Sequence, residues 1–294
     1  MSNQTPGDSG FGGEEGGPGS REESRFVVLP APLELTVSYG PGTGRGPEAI
    51  LTASRELEFF DEETGTPYWE PGEIHTLDTP SLGGEPEKAV EALREMARPV
   101  VRAGKFLLTL GGEHTVTAGP LRAVVEEHPA VGLLVIDAHL DLRDSYDGTR
   151  WSHACVMRRV LEEHAIPVVW CGTRSYSRGE ADLVAERGLT IWHAHDLPRH
   201  PRWIEEVVDV LPEVVYLSVD VDGLDPSVMP GTGTPEPGGL TYREILGVIE
   251  ELARRRTLVA ADLVEVAPIP GQVVSEFTAA RIAAKIIGAV RRYS

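Results

Sequence analysis

Two short segments carry carboxylates and imidazole at every second position: IDAHLD (136–141), with Asp137, His139 and Asp141, and SVDVDG (218–223), with Asp220 and Asp222. Each closes an apolar run. In an extended strand the side chains at i, i+2 and i+4 share one face, so the spacing predicts that each set converges on a single locus. Four carboxylates turned into one cavity are too costly to keep there unaided. Each buried anion costs several kcal/mol or takes up a proton unless a multivalent cation compensates it. The pattern therefore asks for metal. A third segment, GGEHTVT (111–117), also follows an apolar run, and Gly111 with Gly112 allows a tight turn that presents His114 at the strand tip.

Something must hold these tips together. The runs FVVLP, KFLLTLGG, VGLLVIDAH, PVVWCG, LTIWHA, VVYLSVDVDG and TLVAADLVEV are short, continuous and rich in Val, Ile and Leu, as expected for parallel strands buried on both faces. Amphipathic stretches separate them, with recognisable helix starts at Pro47 after Gly46 and at the Thr241–Glu244 capping box. A last helix is expected over SEFTAARIAAKIIGAVRR. The alternation predicts an α/β protein, a three-layer α/β/α sandwich with a mainly parallel central sheet and one catalytic domain over residues 25–294. Ligands of such sheets bind beyond the carboxyl ends of the strands, where the acidic segments fall.

Composition narrows the partners. With 27 Lys and Arg against 46 Asp and Glu, the formal net charge is −19, which disfavours nucleic acid and anionic membrane surfaces and favours a cationic small molecule. No apolar run reaches the roughly 18 residues that a membrane span requires, and the N-terminus lacks the basic and apolar regions of a signal peptide. Cys155 and Cys171 are too few for a disulfide framework, and neither has a CxxC partner. A cytoplasmic location is expected. Residues 1–24, rich in Gly, Glu and Ser with a single Phe, are expected to form a disordered tail, because they offer too little apolar surface to offset their ordering entropy.

The remaining histidines, His75, His128, His164, His193, His195 and His200, lack a comparable context and are read as surface or packing residues. The glycine-rich PGTGRGPEAI (41–50) lacks the Gly-Lys-Ser/Thr ending of a phosphate cradle and is read as a loop at a pocket rim or a subunit contact.

Taken in order, GGEHT, IDAHLDLRD, SHACVMRR, SVDVDGLDPSVMPGTGTPEPGGL and DLVEVAP resemble the ureohydrolase family of arginase, agmatinase and relatives, over roughly residues 26–292. The resemblance implies an arginase/deacetylase-like fold and a binuclear Mn²⁺ site. His114, Asp137, Asp141 and Asp220 would surround one ion, and Asp137, His139, Asp220 and Asp222 the other, with Asp137 and Asp220 bridging. It implies His153, after the capping Ser152, as the proton carrier, and Glu265 as the carboxylate that receives the planar guanidinium. Assembly as a homotrimer or homohexamer is likewise implied. Glu113 stands where the family usually has Asp, one methylene longer beside the implied ligand histidine, and Thr115 replaces the usual Ser.

The chemistry follows from such a site. A guanidinium carbon is a poor electrophile and water a poor nucleophile, so adjacent cations that lower the pKa of water supply what the reaction lacks. Oxygen and imidazole donors suit Mn²⁺. The departing amine needs a proton, and histidine is the side chain that titrates near neutrality. The expected reaction is hydrolysis of agmatine to urea and putrescine, a step of polyamine biosynthesis, with N1-aminopropylagmatine, guanidinobutyrate or arginine as alternatives. Asp144 and Asp147, in LRDSYDG, are expected at the pocket mouth with Tyr146, favouring a cationic tail over a carboxylate, whereas Arg143 would receive a carboxylate if it turned inward. Outside this class stand a non-catalytic metal-binding paralogue, for which His153 and Glu265 would have no chemical use, and a binuclear phosphoesterase, which would need Arg143, Arg158 and Arg159 at the site.

Overall fold

The computed structural model describes residues 10–294. Ten strands run β1 (Phe26–Ala31), β2 (Phe60–Asp61), β3 (Thr66–Pro67), β4 (Ile74–Thr76), β5 (Phe106–Gly111), β6 (Gly132–Ile136), β7 (Val168–Thr173), β8 (Thr190–His193), β9 (Val214–Asp220) and β10 (Thr257–Val264). Eight α-helices accompany them among the described residues: α1 (Gly46–Ser54), α2 (Pro86–Arg102), α3 (Ala118–Glu127), α4 (Val156–Glu163), α5 (Arg178–Arg187), α6 (Trp203–Asp209), α7 (Tyr242–Arg255) and α8 (Val274–Tyr293). β2 and β3 form a small antiparallel hairpin. The other eight make one sheet in the order β4-β1-β5-β10-β9-β6-β7-β8, and every pairing in it is parallel.

Both faces of this sheet are buried, which is why its strands read as continuous apolar runs. Val28, Leu108, Leu134 and Ile136 pack on one face with Ile50 of α1, Val207 of α6, Ile245 of α7 and Ile286 of α8. Val27, Leu107, Leu133 and Val135 pack on the other with Leu93 of α2, Leu121 of α3, Met157 of α4 and Leu183 of α5. The result is the expected α/β/α sandwich. All seven strands expected from the sequence are present, and the eighth, β4, is a three-residue edge strand too short to leave a periodic signal. The Thr241–Glu244 capping box opens α7 as expected.

Residues 10–24 depart from the expected tail. Phe11 is buried with its ring centroid 5.6 Å from that of Trp69, whose indole N–H donates to the Gly16 carbonyl at 2.9 Å. Lys105 Nζ donates to the carbonyls of Arg21, Glu22 and Ser24. Composition averaged over the segment hides one aromatic anchor and a lysine clamp far away in sequence. Residues 1–9 of the expected tail lie outside the described residues.

Candidate metal centre

Four adjacent strands, β5, β10, β9 and β6, deliver their carboxyl ends to one place. His114 follows β5, Glu265 follows β10, Asp220 ends β9, and Asp137 follows β6 directly. The clustering does not arise from strand pleat, as the every-other-residue spacing suggested. β6 stops at Ile136, and the chain then turns: the His139 N–H donates to Asp137 Oδ1 at 2.6 Å, and Asp141 takes φ 52°. Beyond β9, Asp222 sits in a single 3-10 turn, its N–H donating to Asp220 Oδ1 at 3.0 Å. Each aspartate thus folds its own loop, so the side chains converge by turning of the backbone.

The geometry gathers two sets of metal-ligating groups, His114 with Asp137 and Asp141, and Asp137 with His139 and Asp222. Asp137 belongs to both, turning Oδ2 toward His114 Nδ1 (3.3 Å) and Oδ1 toward His139 Nδ1 (3.6 Å). His114 Nδ1 also lies 3.0 Å from Asp141 Oδ2 and 3.2 Å from Asp220 Oδ2, and His139 Nδ1 lies 3.0 Å from Asp222 Oδ2. Asp220 therefore reaches the His114 side with one oxygen, while its other oxygen accepts the Asp222 N–H.

All four aspartates are buried. Burial, reinforced by the charges of Asp222 and Asp137, pushes Asp220 well above the usual carboxylate range, and burial with the Asp137 charge raises Asp141. Burial opposes a charged imidazole at His139, yet hydrogen bonds to Asp137 and Asp222 outweigh it and push the ring up to about 12. Such a cluster attracts positive charge strongly. Asp137 Oδ2 is buried without a hydrogen-bond partner, an expensive state that a cation at this point relieves. The other side of His114 is braced. Its Nε2 lies 3.1 Å from Ser218 Oγ, Ser218 donates to Asp262 Oδ1 at 2.7 Å, and the Tyr216 hydroxyl donates to Asp262 Oδ2 at 2.7 Å. With the Ser218 proton committed to Asp262, Nε2 carries the hydrogen and Nδ1 keeps its lone pair for the acidic cluster, as metal-ligating histidines do. The residues fit a pair of divalent cations.

The cluster forms the floor of a cavity of about 320 Å³ whose wall includes Glu265, His153, Arg143, Tyr39, Tyr146 and Tyr176. Glu265 holds φ 67°, in the left-handed region that costs a residue with a Cβ roughly 1–2 kcal/mol. Its Oε1 accepts the His114 N–H at 2.7 Å, and burial together with the Glu113 charge raises it well above the usual range despite that bond. His153 stands on the opposite loop, opened by Ser152, which caps the turn by accepting the Ala154 N–H.

Residues 24–288 match the profile of the Arginase family. The chain belongs to that family. It is 40% identical to the N(1)-aminopropylagmatine ureohydrolase of Synechocystis sp. over 92% of this chain and 90% of that one. It is 42% identical to the enzyme of the same name from Thermus thermophilus, over 91% and 90%. The solved agmatine ureohydrolase of Thermoplasma volcanium superimposes with a TM-score of 0.86 at 31% identity, covering 94% of this chain and 93% of that one. This arginase-family chain is thus a ureohydrolase, a hydrolase acting on a guanidino group, and the non-catalytic alternative loses its ground.

Two site expectations need correction. Asp144 and Asp147 do not line the cavity: both are exposed, and Asp144 Oδ1 accepts from Arg159 at 3.0 Å and Arg150 at 3.3 Å. Arg159 is almost wholly buried, so an unpaired guanidinium there would be costly, and it draws Asp144 outward. Arg158 is committed to Glu162. Of the three arginines that a phosphoesterase would need, only Arg143 lines the cavity, and its Cζ lies 5.1 Å over the Tyr146 ring.

Some residues that shape this ureohydrolase site escaped the sequence reading. Arg174 donates to the carbonyls of Gly172, Asp222, Gly223, Leu224, Glu236 and Pro237, pinning the loop that carries Asp222. Glu180 closes the capping box of α5 and accepts the Leu142 N–H at 3.1 Å, beside Asp141. The Ser177–Glu180 spacing was a readable signal for it. Arg174 left none, since its partners are all carbonyls.

Proposed function

We propose that the protein hydrolyses the guanidino group of agmatine, releasing urea and putrescine, and that two Mn²⁺ ions serve the reaction. The observation that carries this reading is Asp137, whose two oxygens face two separate sets of ligating side chains and whose Oδ2 has no other partner. We assign His114, Asp137, Asp141 and Asp220 to one ion and Asp137, His139, Asp220 and Asp222 to the other. When bound, the pair lowers the pKa of water and supplies the nucleophile. Oxygen and imidazole donors support Mn²⁺.

The protein's own groups do the rest. The buried Glu265 receives the guanidinium, and the arriving cation offsets the charge that burial disfavours. Water adds to the guanidinium carbon, the bond from that carbon to the tail nitrogen breaks, and His153 gives the leaving amine its proton. The tail runs toward Tyr39, Tyr146 and Tyr176, whose ring faces suit an ammonium group.

A second reading, N1-aminopropylagmatine hydrolysed to urea and spermidine, is supported by the names of relatives at 40% and 42% identity. Both substrates carry cationic tails. The unpaired thiols of Cys155 and Cys171 support a cytoplasmic protein, and the exposed Val273, Val274 and Phe277 support self-association, for which a homotrimer or homohexamer is our reading. Urea release from agmatine, N1-aminopropylagmatine, guanidinobutyrate and arginine, with and without Mn²⁺, tests the proposal. Mn²⁺-independent turnover, or no urea from either cationic-tailed substrate, would overturn it.

A further inference from the structure

We propose that Glu113 is a positioning residue, acting through Thr36 to fix which nitrogen of His153 faces the substrate. The proposal rests on the reading of His153 as proton carrier.

Glu113 is buried beside the acidic cluster but turns away from it. Its Oε2 accepts the N–H groups of Leu35 (2.8 Å) and Thr36 (2.7 Å), and its Oε1 accepts the Thr36 hydroxyl at 2.9 Å. Gly112 makes this approach possible, because a Cβ there would lie 2.0 Å from the Leu33 carbonyl oxygen. Thr36 Oγ1 in turn accepts the His153 backbone N–H at 3.0 Å and lies 3.3 Å from His153 Nδ1.

A hydroxyl has one hydrogen and two lone pairs. The Thr36 hydrogen goes to Glu113, whose two oxygens are faced by donors, the N–H groups of Leu35 and Thr36 on Oε2 and the hydroxyl on Oε1. Both lone pairs of Thr36 are then left for His153, one for the backbone N–H and one for the ring, and the relay favours the tautomer with hydrogen on Nδ1, whose other neighbour, Ser152 Oγ at 3.4 Å, is the more distant. Nε2 is left to exchange the proton in the cavity. Its neighbour, Ser38 Oγ at 3.4 Å, belongs to the same loop that Glu113 holds. An aspartate at position 113 would fall about 1.5 Å short, the length of one C–C bond. The extra methylene thus gives Glu113 its reach to Thr36.

Substituting glutamine for Glu113 reverses the relay while keeping its shape. The amide oxygen takes the two backbone N–H groups, the amide NH₂ meets Thr36 Oγ1, and the Thr36 hydroxyl is free to donate to Nδ1, selecting the opposite tautomer. The experiment measures kcat, KM, the pH dependence of kcat and bound Mn²⁺ for Glu113→Gln, Thr36→Val and Thr36→Ser, each alone and in a His153→Asn background. Glu113→Gln and Thr36→Val are expected to lower kcat at least about tenfold and displace its pH profile, with KM and Mn²⁺ content held. Thr36→Ser, which keeps the hydroxyl, restores what Thr36→Val loses. In the His153→Asn background neither change costs anything further, because the group they act through is gone.

An equal loss in both backgrounds, an unchanged kcat, or loss of Mn²⁺ from both Glu113→Gln and Thr36→Val would overturn the relay. If Glu113→Gln does not fold, Thr36→Val carries the same test alone. Parental kcat in His153→Asn itself would instead overturn the proton-carrier reading, and the relay with it.

Discussion

The carboxylate of Glu265 accepts the backbone N–H of His114 at 2.7 Å, while the Glu265 N–H donates to the Gly112 carbonyl at 2.7 Å. The group proposed to hold the guanidinium is therefore bonded to the backbone that presents a proposed metal ligand. The positions proposed for substrate and metal thus share one corner between β5 and β10. The strained φ of Glu265 and its burial mark a position held for chemistry at some cost in stability.

Glu265→Gln follows from this directly. The amide keeps the shape and an acceptor for the His114 N–H, but loses the charge that matches a guanidinium. A hydrogen bond to a charged group is worth about 1.5–3 kcal/mol, so kcat/KM should fall by about 10-fold to 150-fold. Removing a buried charge should leave the melting temperature at or above that of the parent. Kinetics and thermal melting together check the pair of outcomes, and a lower melting temperature with unchanged kcat/KM would reverse the assignment.

The metal assignment is tested at Asp220. Its proposed bridging role predicts that Asp220→Asn loses at least one Mn²⁺ per chain and nearly all activity. Asp209→Asn, which removes only an exposed ion pair with Arg255, should retain both metals. Metal content by mass spectrometry decides the matter. Two ions retained in Asp220→Asn would sink the bridging role and leave Asp137 as the sole bridge.

For the proton carrier, His153→Asn should keep Mn²⁺ content and lower kcat by about 10²–10⁴-fold, the usual contribution of general acid catalysis. Single-turnover rates that match the parent would remove His153 from the reaction.

Much of this was readable from sequence, and the failures have physical causes. Parallel strands buried on both faces leave unbroken apolar runs, so every long strand of the sheet was visible, whereas β4 was too short to be seen. Residue types that need a cation were visible because buried carboxylates are costly. The way they meet was not, since Asp137 and Asp220 fold their own loops through side-chain to backbone bonds that a pleat argument ignores. Phe11 was missed because one anchor outweighs a polar average. Thr36 was missed because its partners lie far away in sequence, and Arg174 because its partners are all carbonyls.

The same blindness misplaced Asp144 and Asp147, and correcting it changes what governs substrate choice. Loop acidity suggested that these carboxylates would select a cationic tail, so that Asn at both positions would narrow the preference. Both instead face solvent, with Asp144 held by Arg159 and Arg150, and at exposed positions unit charges interact with a ligand only weakly through water. The tyrosines at the cavity mouth remain in reach of the tail, and a cation over an aromatic face gains about 0.5–2 kcal/mol, or roughly twofold to thirtyfold in affinity. The Tyr146 face is already shared with Arg143, which leaves Tyr39 and Tyr176 to receive an ammonium. Arginine carries an α-carboxylate that aromatic faces do not stabilise and the acidic cluster repels, so agmatine and N1-aminopropylagmatine should exceed it in kcat/KM by at least about tenfold. The double change Asp144→Asn with Asp147→Asn should leave that ratio within about twofold, and Tyr39→Ala with Tyr176→Ala should reduce it several-fold, chiefly through KM. Measuring kcat/KM for all four guanidines in the three proteins under one Mn²⁺ concentration checks this. If the double asparagine variant loses the preference while the double alanine variant keeps it, the tail is read by charge at long range after all.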